Sequence, residues 1–276
     1  MFAGLFKSPL FVTGLALFGL TLLVAVVAPW LLEIDINRRV GLAYMPPSAE
    51  HWLGTDHLGL DLVSLHVVGL RASLYVGLVS GVVATVVGTL IGVYGGYKGG
   101  FIDDLLNSLT NLFLVIPSLV VLILLSNSFD EGRSLTLIAL IIGGTTWTWT
   151  ARAVRAQASS LRSRDHVALA RINGYGTFGI LALHILPYLL SYLFMVFVLQ
   201  TATGILTEAS LSMLGLGPHD SISLGRILDE AVKNEALLDG AWWAFLPATL
   251  LITVIAFSLY VINTAMEGVF NPRLRR

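Results

Sequence analysis

Ala72–Tyr97 reads ASLYVGLVSGVVATVVGTLIGVYGGY, 26 residues without a single Asp, Glu, Lys or Arg. A membrane-crossing helix needs about 20 mostly apolar residues, and this stretch supplies them. It is too long for a barrel strand and lacks the period-2 alternation of one. Backbone groups in lipid must find partners within their own segment, which leaves the helix. Five more charge-free windows flank it: Ser8–Leu32, Leu105–Phe129, Ser134–Ala151, Ile172–Thr207 and Gly240–Met266. Only 12% of the 276 residues are charged and 56% are hydrophobic, against roughly 25% charged in a soluble domain. The remaining polar chain is too short to wrap six buried core helices. The expectation is therefore an all-α polytopic membrane protein with six transmembrane helices.

The same arithmetic excludes several function classes. An ordinary cytosolic enzyme or a disordered chain does not have this composition. A net charge of −1 offers no basic excess for counterion release from nucleic acid. Cysteine is absent, so disulfides and thiolate metal sites are out. The first window follows Lys7 as a signal peptide would, and Val26-Val27-Ala28 resembles a cleavage site. Its apolar run exceeds the ~7–15 residues of a signal core, however, so it is read as a retained helix. The fifth window is too long for one simple span. Pro187 is its expected break, because proline removes a backbone donor and clashes with the preceding turn. That puts a short helix at Phe178–Leu186 and the span near Pro187–Leu206.

Six spans place both termini on one side. If that side is the cytoplasm, the inside loops hold 10 Lys/Arg and the outside loops 6, which is the positive-inside pattern. Both termini are thus expected in the cytoplasm. Residues 1–71 form an N-terminal helix with an external loop, and 72–276 form the core. In the external loop, Trp52 suits the membrane interface, and Leu58–Leu70 suits a short helix lying on the membrane.

The inside loop, 152–186, is basic at Arg152, Arg155, Arg162 and Arg164 and mostly uncharged at its tip. Asp165 is a candidate N-cap, Ala168, Leu169 and Ala170 favour helix, and Asn173-Gly174 tolerates the positive φ of a helix end. A helix–turn–helix with an uncharged tip, protruding into water, needs a partner surface.

Ala168-Leu169-Ala170, three residues, Gly174, ten residues, then Ile185-Leu186-Pro187 resembles the "EAA" loop of permease subunits in binding-protein-dependent ABC importers. Ala168 and Leu169 replace the motif's Glu and first Ala. Three further stretches are similar to the dipeptide/oligopeptide branch of that family. Leu53-Gly54-Thr55-Asp56 through Ser64 resembles "LGTDxxGRDxxSR", with Leu60 and Leu65 standing where the family has arginines. Leu211–Gly217 resembles "LSFLGLG", and Asn271–Arg275 resembles "DPRLR". The resemblance runs in order along essentially the whole chain.

The resemblance implies a type I ABC importer permease fold in a bacterial or archaeal plasma (inner) membrane. It implies a heterodimer with a second, homologous permease, two ABC ATPase subunits that bind ATP-Mg, and an external solute-binding protein. The chain itself would hold no cofactor and would be no enzyme. Asp165, Ala168, Leu169, Ala170, Ile172, Gly174, Ile185, Leu186 and Pro187 would form the ATPase-coupling loop, with Leu169, Ile172 and the Gly174 turn as its docked face. Residues 208–239 would face the binding protein. There Gly215, Gly217, Asp220, Asp229 and Glu230, with Glu235 and Asp239, are either that contact or a solvated face. This branch carries peptides; relatives carry oligosaccharides, nickel or glutathione, and the residues do not choose among these solutes.

Other polar residues carry two readings each. Asn107, Asn111 and Gln200 sit within expected spans, as interhelical hydrogen-bonders or pore lining. Glu208 is an acid near a span's outer end, and serves the solute or a local pair. Gly77, Gly81, Gly88 and Gly92 make two small-xxx-small pairs, or are the ordinary glycines of a membrane helix. No Gly-x4-Gly-Lys-Ser/Thr exists for ATP and no His-Glu-x-x-His for zinc. The six histidines lack metal spacing. An intramembrane protease would need a paired acid or a nucleophile set, and a secondary transporter broken inverted repeats; neither pattern is present.

Overall fold

A computed structural model describes residues 2–128 and 133–270. The tail Asn271–Arg275, with the cationic Arg273, Arg275 and Arg276, and the window end at Phe129 lie outside the described residues. Ten α-helices carry the described chain: α1 Pro9–Leu31, α2 Leu62–Lys98, α3 Gly100–Val115, α4 Ser118–Asn127, α5 Leu135–Arg162, α6 Asp165–Ile172, α7 Thr177–Ile180, α8 Leu186–Met213, α9 Leu224–Lys233 and α10 Leu246–Phe270. Short polar side chains start the long ones. Ser8, Asp61, Ser134 and Ser223 each accept a backbone N–H in the first turn of α1, α2, α5 and α9, satisfying donors that no helix can satisfy itself.

Helix α2 is the axis of the fold. It packs on α5 and α8, while α1 lies on α10 and α10 closes against α8. Glycines set the α2 distances. A methyl carbon at Gly88 would stand 2.5 Å from Thr150 Cβ, and one at Gly92 2.5 Å from the Ala151 carbonyl. Gly77 and Gly81 meet Ile205 and Thr201 of α8 as closely. The paired glycines therefore bring α2 against two helices of its own chain, the first pair against α8 and the second against α5.

Among the described residues, four helical segments are long and apolar enough to cross a membrane: Pro9–Leu31, Leu62–Lys98, Thr177–Met213 and Trp242–Val269. A fifth crossing would need α3 and α4 together, and these meet at 78°. The span expected over Leu105–Phe129 is thus made of two helices, because Pro117 pushes the preceding Ile116 into extended backbone, ψ 123°, as proline favours for the residue before it. Helix α5 is charge-free from Leu135 to Ala151 but rich in Thr and Trp, and is less apolar than the four.

Three local expectations are corrected. The surface helix at Leu58–Leu70 is instead the start of α2, which runs unbroken from the Asp61 cap; Leu62, Leu65, Val67 and Leu70 are buried because a core lies there to receive them. The boundary drawn at 71 consequently falls inside a helix. Pro187 does not end a helix either. Five residues, Leu181–Ile185, form a π turn in which the Leu186 N–H donates to the Leu181 carbonyl. That widened turn absorbs proline's missing donor, and the helix continues to Met213. Finally, Asp165 is the first helical residue of α6, and the cap position is Arg164, without a side-chain cap bond.

Candidate functional site

The loop from α5 to α8 is built as a rigid tip. Helix α6 turns Val167 and Ala170 inward, onto a small apolar core with Val93, Tyr97, Val154, Ala158, Ile180, Leu181, Ile185 and Leu189. The same short helix turns Ala168, Leu169 and Ile172 outward. Gly174 ends it at φ +80°. The Gly174 N–H donates to the Arg171 carbonyl and the Tyr175 N–H to Ala170, a Schellman stop that only a positive φ permits.

Four contacts brace the tip. The His166 ring nitrogen lies 3.1 Å from the His184 carbonyl, and its ring stacks on Tyr188 at 4.3 Å. Tyr175 meets the His184 ring edge-on at 5.0 Å. On the α2 side, the Arg171 guanidinium lies over the Tyr97 ring, 5.2 Å from its centre. What remains outside is apolar: Leu169 is 59% exposed, Ile172 80% and Phe178 79%. Of the coupling residues read from sequence, Ile185 is buried within the π turn and Leu186 is half-buried, so they hold the loop while Leu169 and Ile172 face outward. Pro187 is exposed. Phe178 and Tyr175 were missed: Phe178 opens a mostly apolar run to Leu186, and Tyr175 stands in the turn before it. A large aromatic two residues past Gly176 was the available signal.

Below the loop, Arg155 of α5 grips Asp103 of α3 with two bonds of 2.5 and 2.7 Å. Asn111 accepts from Arg152 at 2.7 Å, so this residue joins α3 to α5. Asn107 lines a very small gap beside Arg152 and Arg155. Gln200 is buried and donates to the Thr146 carbonyl at 3.1 Å and to the Thr150 hydroxyl at 2.7 Å, joining α8 to α5.

Glu208 is fully buried at a junction of α2, α8 and α9. Ser212 donates to it at 2.7 Å and Ser73 at 3.3 Å, while Ser73 accepts the Leu224 N–H of α9 at 3.1 Å. Such a satisfied network fixes geometry; here it fastens the short helix α9 to two long ones.

The residues of 208–239 separate by burial and partners. Gly215 turns at φ +75°, and Gly217 packs against Ser212. Asp220 is exposed and accepts the Leu135 N–H, capping α5 at 3.1 Å. Asp229 is buried and bonded to Lys233 at 2.6 Å, so its carboxylate faces inward. Glu230 is open, with His57 and Arg226 at 3.8 and 3.9 Å; Glu235 and Asp239 are exposed. Nearby, Tyr44 donates to the Asn234 carbonyl at 2.8 Å. Burial, then Asp239, Asp56 and Glu230, hold its phenol above the ordinary value, so it stays a donor. Leu65 is buried and Leu60 packs on the same core. Both line one pocket of about 130 Å³ with Ile222, Ile227 and Ala231, beside Asp56, His57, Arg226 and Glu230, so two leucines stand where the resemblance supplies arginine. Among the described residues, no group of three His, Cys, Asp or Glu is placed to hold a metal.

Residues 88–276 match the family described as binding-protein-dependent transport system inner membrane component. The chain is 32% identical over 272 residues to the oligopeptide transport system permease protein OppC of Bacillus subtilis, covering 98% of this chain and 88% of that one. It is 30% identical to the dipeptide transport system permease protein DppC of the same bacterium, covering 98% and 84%. The OppC of Mycobacterium tuberculosis is 31% identical over 226 residues, covering 81% and 75%.

Proposed function

Since this chain belongs to the family of binding-protein-dependent transport system inner membrane components, we propose that it is one permease subunit of an ATP-driven peptide importer. The observation that carries the coupling role is the braced apolar tip: Leu169, Ile172 and Phe178 are exposed on a loop whose backbone and rings are tied down. An exposed apolar patch of this kind marks a docking surface, and a rigid mount delivers a partner's motion undamped. Oligopeptide and dipeptide transport belongs to the relatives by name, and peptide is the solute class proposed here.

In this reading the four long apolar helices, the bent α3–α4 pair and α5 make six crossings. Both termini and the α5–α8 loop lie in the cytoplasm of a bacterial inner membrane. Two partner ATPases bind ATP-Mg and close on each other. One of them carries the α6 tip with it, and the tip is welded to α2, α5 and α8 through the small apolar core beneath it. The half-pathway presented by this chain then reorients against a second permease. An external binding protein delivers the peptide to the face that carries α9. ATP and loaded binding protein act by favouring different arrangements, since a ligand shifts an equilibrium only by differential affinity.

The test is reconstitution of the chain with its partner permease and ATPases in proteoliposomes, with labelled peptide and binding protein outside. Leu169→Glu and Phe178→Ser should insert normally. They should lower peptide uptake by at least about tenfold, as loss of a central apolar anchor does, and uncouple the ATPase from binding protein. Uptake without ATP, or full uptake by both variants, would overturn the reading.

A further inference from the structure

A cleft of about 550 Å³ opens between the end of α1 and the loop that precedes α2, on the external side in the topology proposed above. Its volume lies within the ~300–1,000 Å³ of small-ligand sites, and none of the roles above uses it. Leu32, Ile34, Val40, Trp52 and Val63 give it apolar walls, and Arg38, Arg39, Glu33, Asp35, Glu50 and Asp61 give it charges of both signs.

The charges are not equally available. Asp35 accepts the backbone N–H groups of Asn37 and Arg38, at 2.9 and 3.2 Å. Asp61 caps α2 through Ser64 and meets His51 at 3.4 Å. Arg39 spends its Nε on the Gly41 carbonyl at 3.1 Å, leaving its two terminal nitrogens. Glu33, Glu50 and Arg38 are exposed and form no ion pair with a described residue. The cleft thus offers two guanidiniums and two free carboxylates in one concavity. The matching ligand carries an anion suited to guanidinium, phosphate above all, and an ammonium for the carboxylates.

The surroundings say where that ligand comes from. Helix α1 brings an exposed apolar stripe, Leu23, Val26 and Trp30, up to the cleft, and Trp30 is 87% exposed. Leu31 and Trp52 are also exposed. Indole rings favour the headgroup level of a bilayer. A stripe of aliphatic side chains ending at a charged cleft is the shape of a lipid seat, tails along the helix and headgroup in the cleft.

We propose that this cleft binds the headgroup of an outer-leaflet phospholipid whose headgroup is a phosphate–ammonium zwitterion, phosphatidylethanolamine being the probe. Arg38 and Arg39 take the phosphate; Glu33 and Glu50 take the primary ammonium. Phosphatidylcholine presents a methylated ammonium that donates no hydrogen bond, and phosphatidylglycerol presents none.

The proposal is tested on the full chain in its complex, in nanodiscs containing equal parts of the three lipids. Lipid retained through mild detergent extraction is counted by native mass spectrometry. Phosphatidylethanolamine should be retained about fivefold over phosphatidylcholine, the scale of two solvent-screened ion pairs. Arg38→Gln with Arg39→Gln should bring retention to the bulk level. Glu33→Gln with Glu50→Gln should keep the phosphate contact but lose discrimination between ethanolamine and choline. If the arginine variant fails to insert, the glutamine pair alone decides. Equal retention of all three lipids, or unchanged preference in the variants, overturns the proposal. A tenfold excess of soluble phosphoethanolamine or free dipeptide should leave the lipid in place; displacement by either would reassign the cleft to a soluble zwitterion and overturn the lipid seat.

Discussion

Gly174 concentrates much of the loop's mechanics in one φ angle of +80°. Proline there would demand φ near −65° and would delete the N–H that bonds the Arg171 carbonyl. Gly174→Pro should therefore leave the amount of chain in the membrane fraction unchanged and cut ATP-coupled uptake by at least tenfold; loss from the membrane fraction would make the loop a folding element instead. Glu208 predicts the opposite pattern. Removing its carboxylate strands Ser212 and Ser73, which costs about 1–3 kcal/mol for buried partners. Glu208→Ala should lower the melting temperature, while Glu208→Gln keeps an acceptor and most of the stability. A Gln variant that melts normally but has lost uptake would instead give the acid a direct part in transport. The roles of these residues were unevenly legible. Gly174 is readable because its residue type and position in the loop leave one purpose. Glu208, Gln200 and Asp229 are not, because whether an acid or amide faces a pathway, a neighbouring helix or solvent depends on helix rotation, and six apolar windows do not fix their rotations.

Charge-free length locates helices well and their breaks badly. The windows around Ala72–Tyr97 and Gly240–Met266 are found as helices, whereas the breaks are not: the chain bends by 78° at Pro117, inside a window read as one span, and Pro187 does not stop its helix. A proline's effect rests on whether the turn before it can widen, which is a matter of packing around Leu181 and Ile185 rather than of sequence. Deleting Ala182 should remove the π turn and restore ordinary register. Every residue before it would rotate by about 100° relative to α8, pulling Ile180 and Leu181 off the core. Uptake should be lost while insertion of α8 persists, and cysteine accessibility along 178–183 should shift in phase; an unchanged pattern would remove the π turn from the mechanism. The α2 glycines make a paired prediction. Gly88→Leu meets Thr150 and should destabilise by about 1–3 kcal/mol or more, read as poor expression. Gly144→Leu on α5 meets nothing within 4 Å and should express normally.

For the molecule as a whole, the lack of cysteine makes sidedness directly measurable. Single cysteines at Ile172 and Leu238, both bare side chains, should react with an impermeant maleimide from opposite faces of a sealed vesicle. Ile172→Cys should label from the cytoplasmic face and Leu238→Cys from the external one; labelling of both from one face would break the six-crossing topology. The lysine and arginine distribution is what predicts this orientation, since it is a statistic of loops. The association of α2 with α5 and α8 was only half readable, as glycine spacing announces a close approach without naming the neighbour. That close approach has a mechanical consequence. With no slack between α2 and its neighbours, the helix acts as a stiff lever. Its 37 residues span about 55 Å, and a tilt of about 5° at the end beside α6 displaces the end beside α9 by about 5 Å. A stroke delivered inside the cell would thus arrive outside at a size comparable to the width of a peptide backbone.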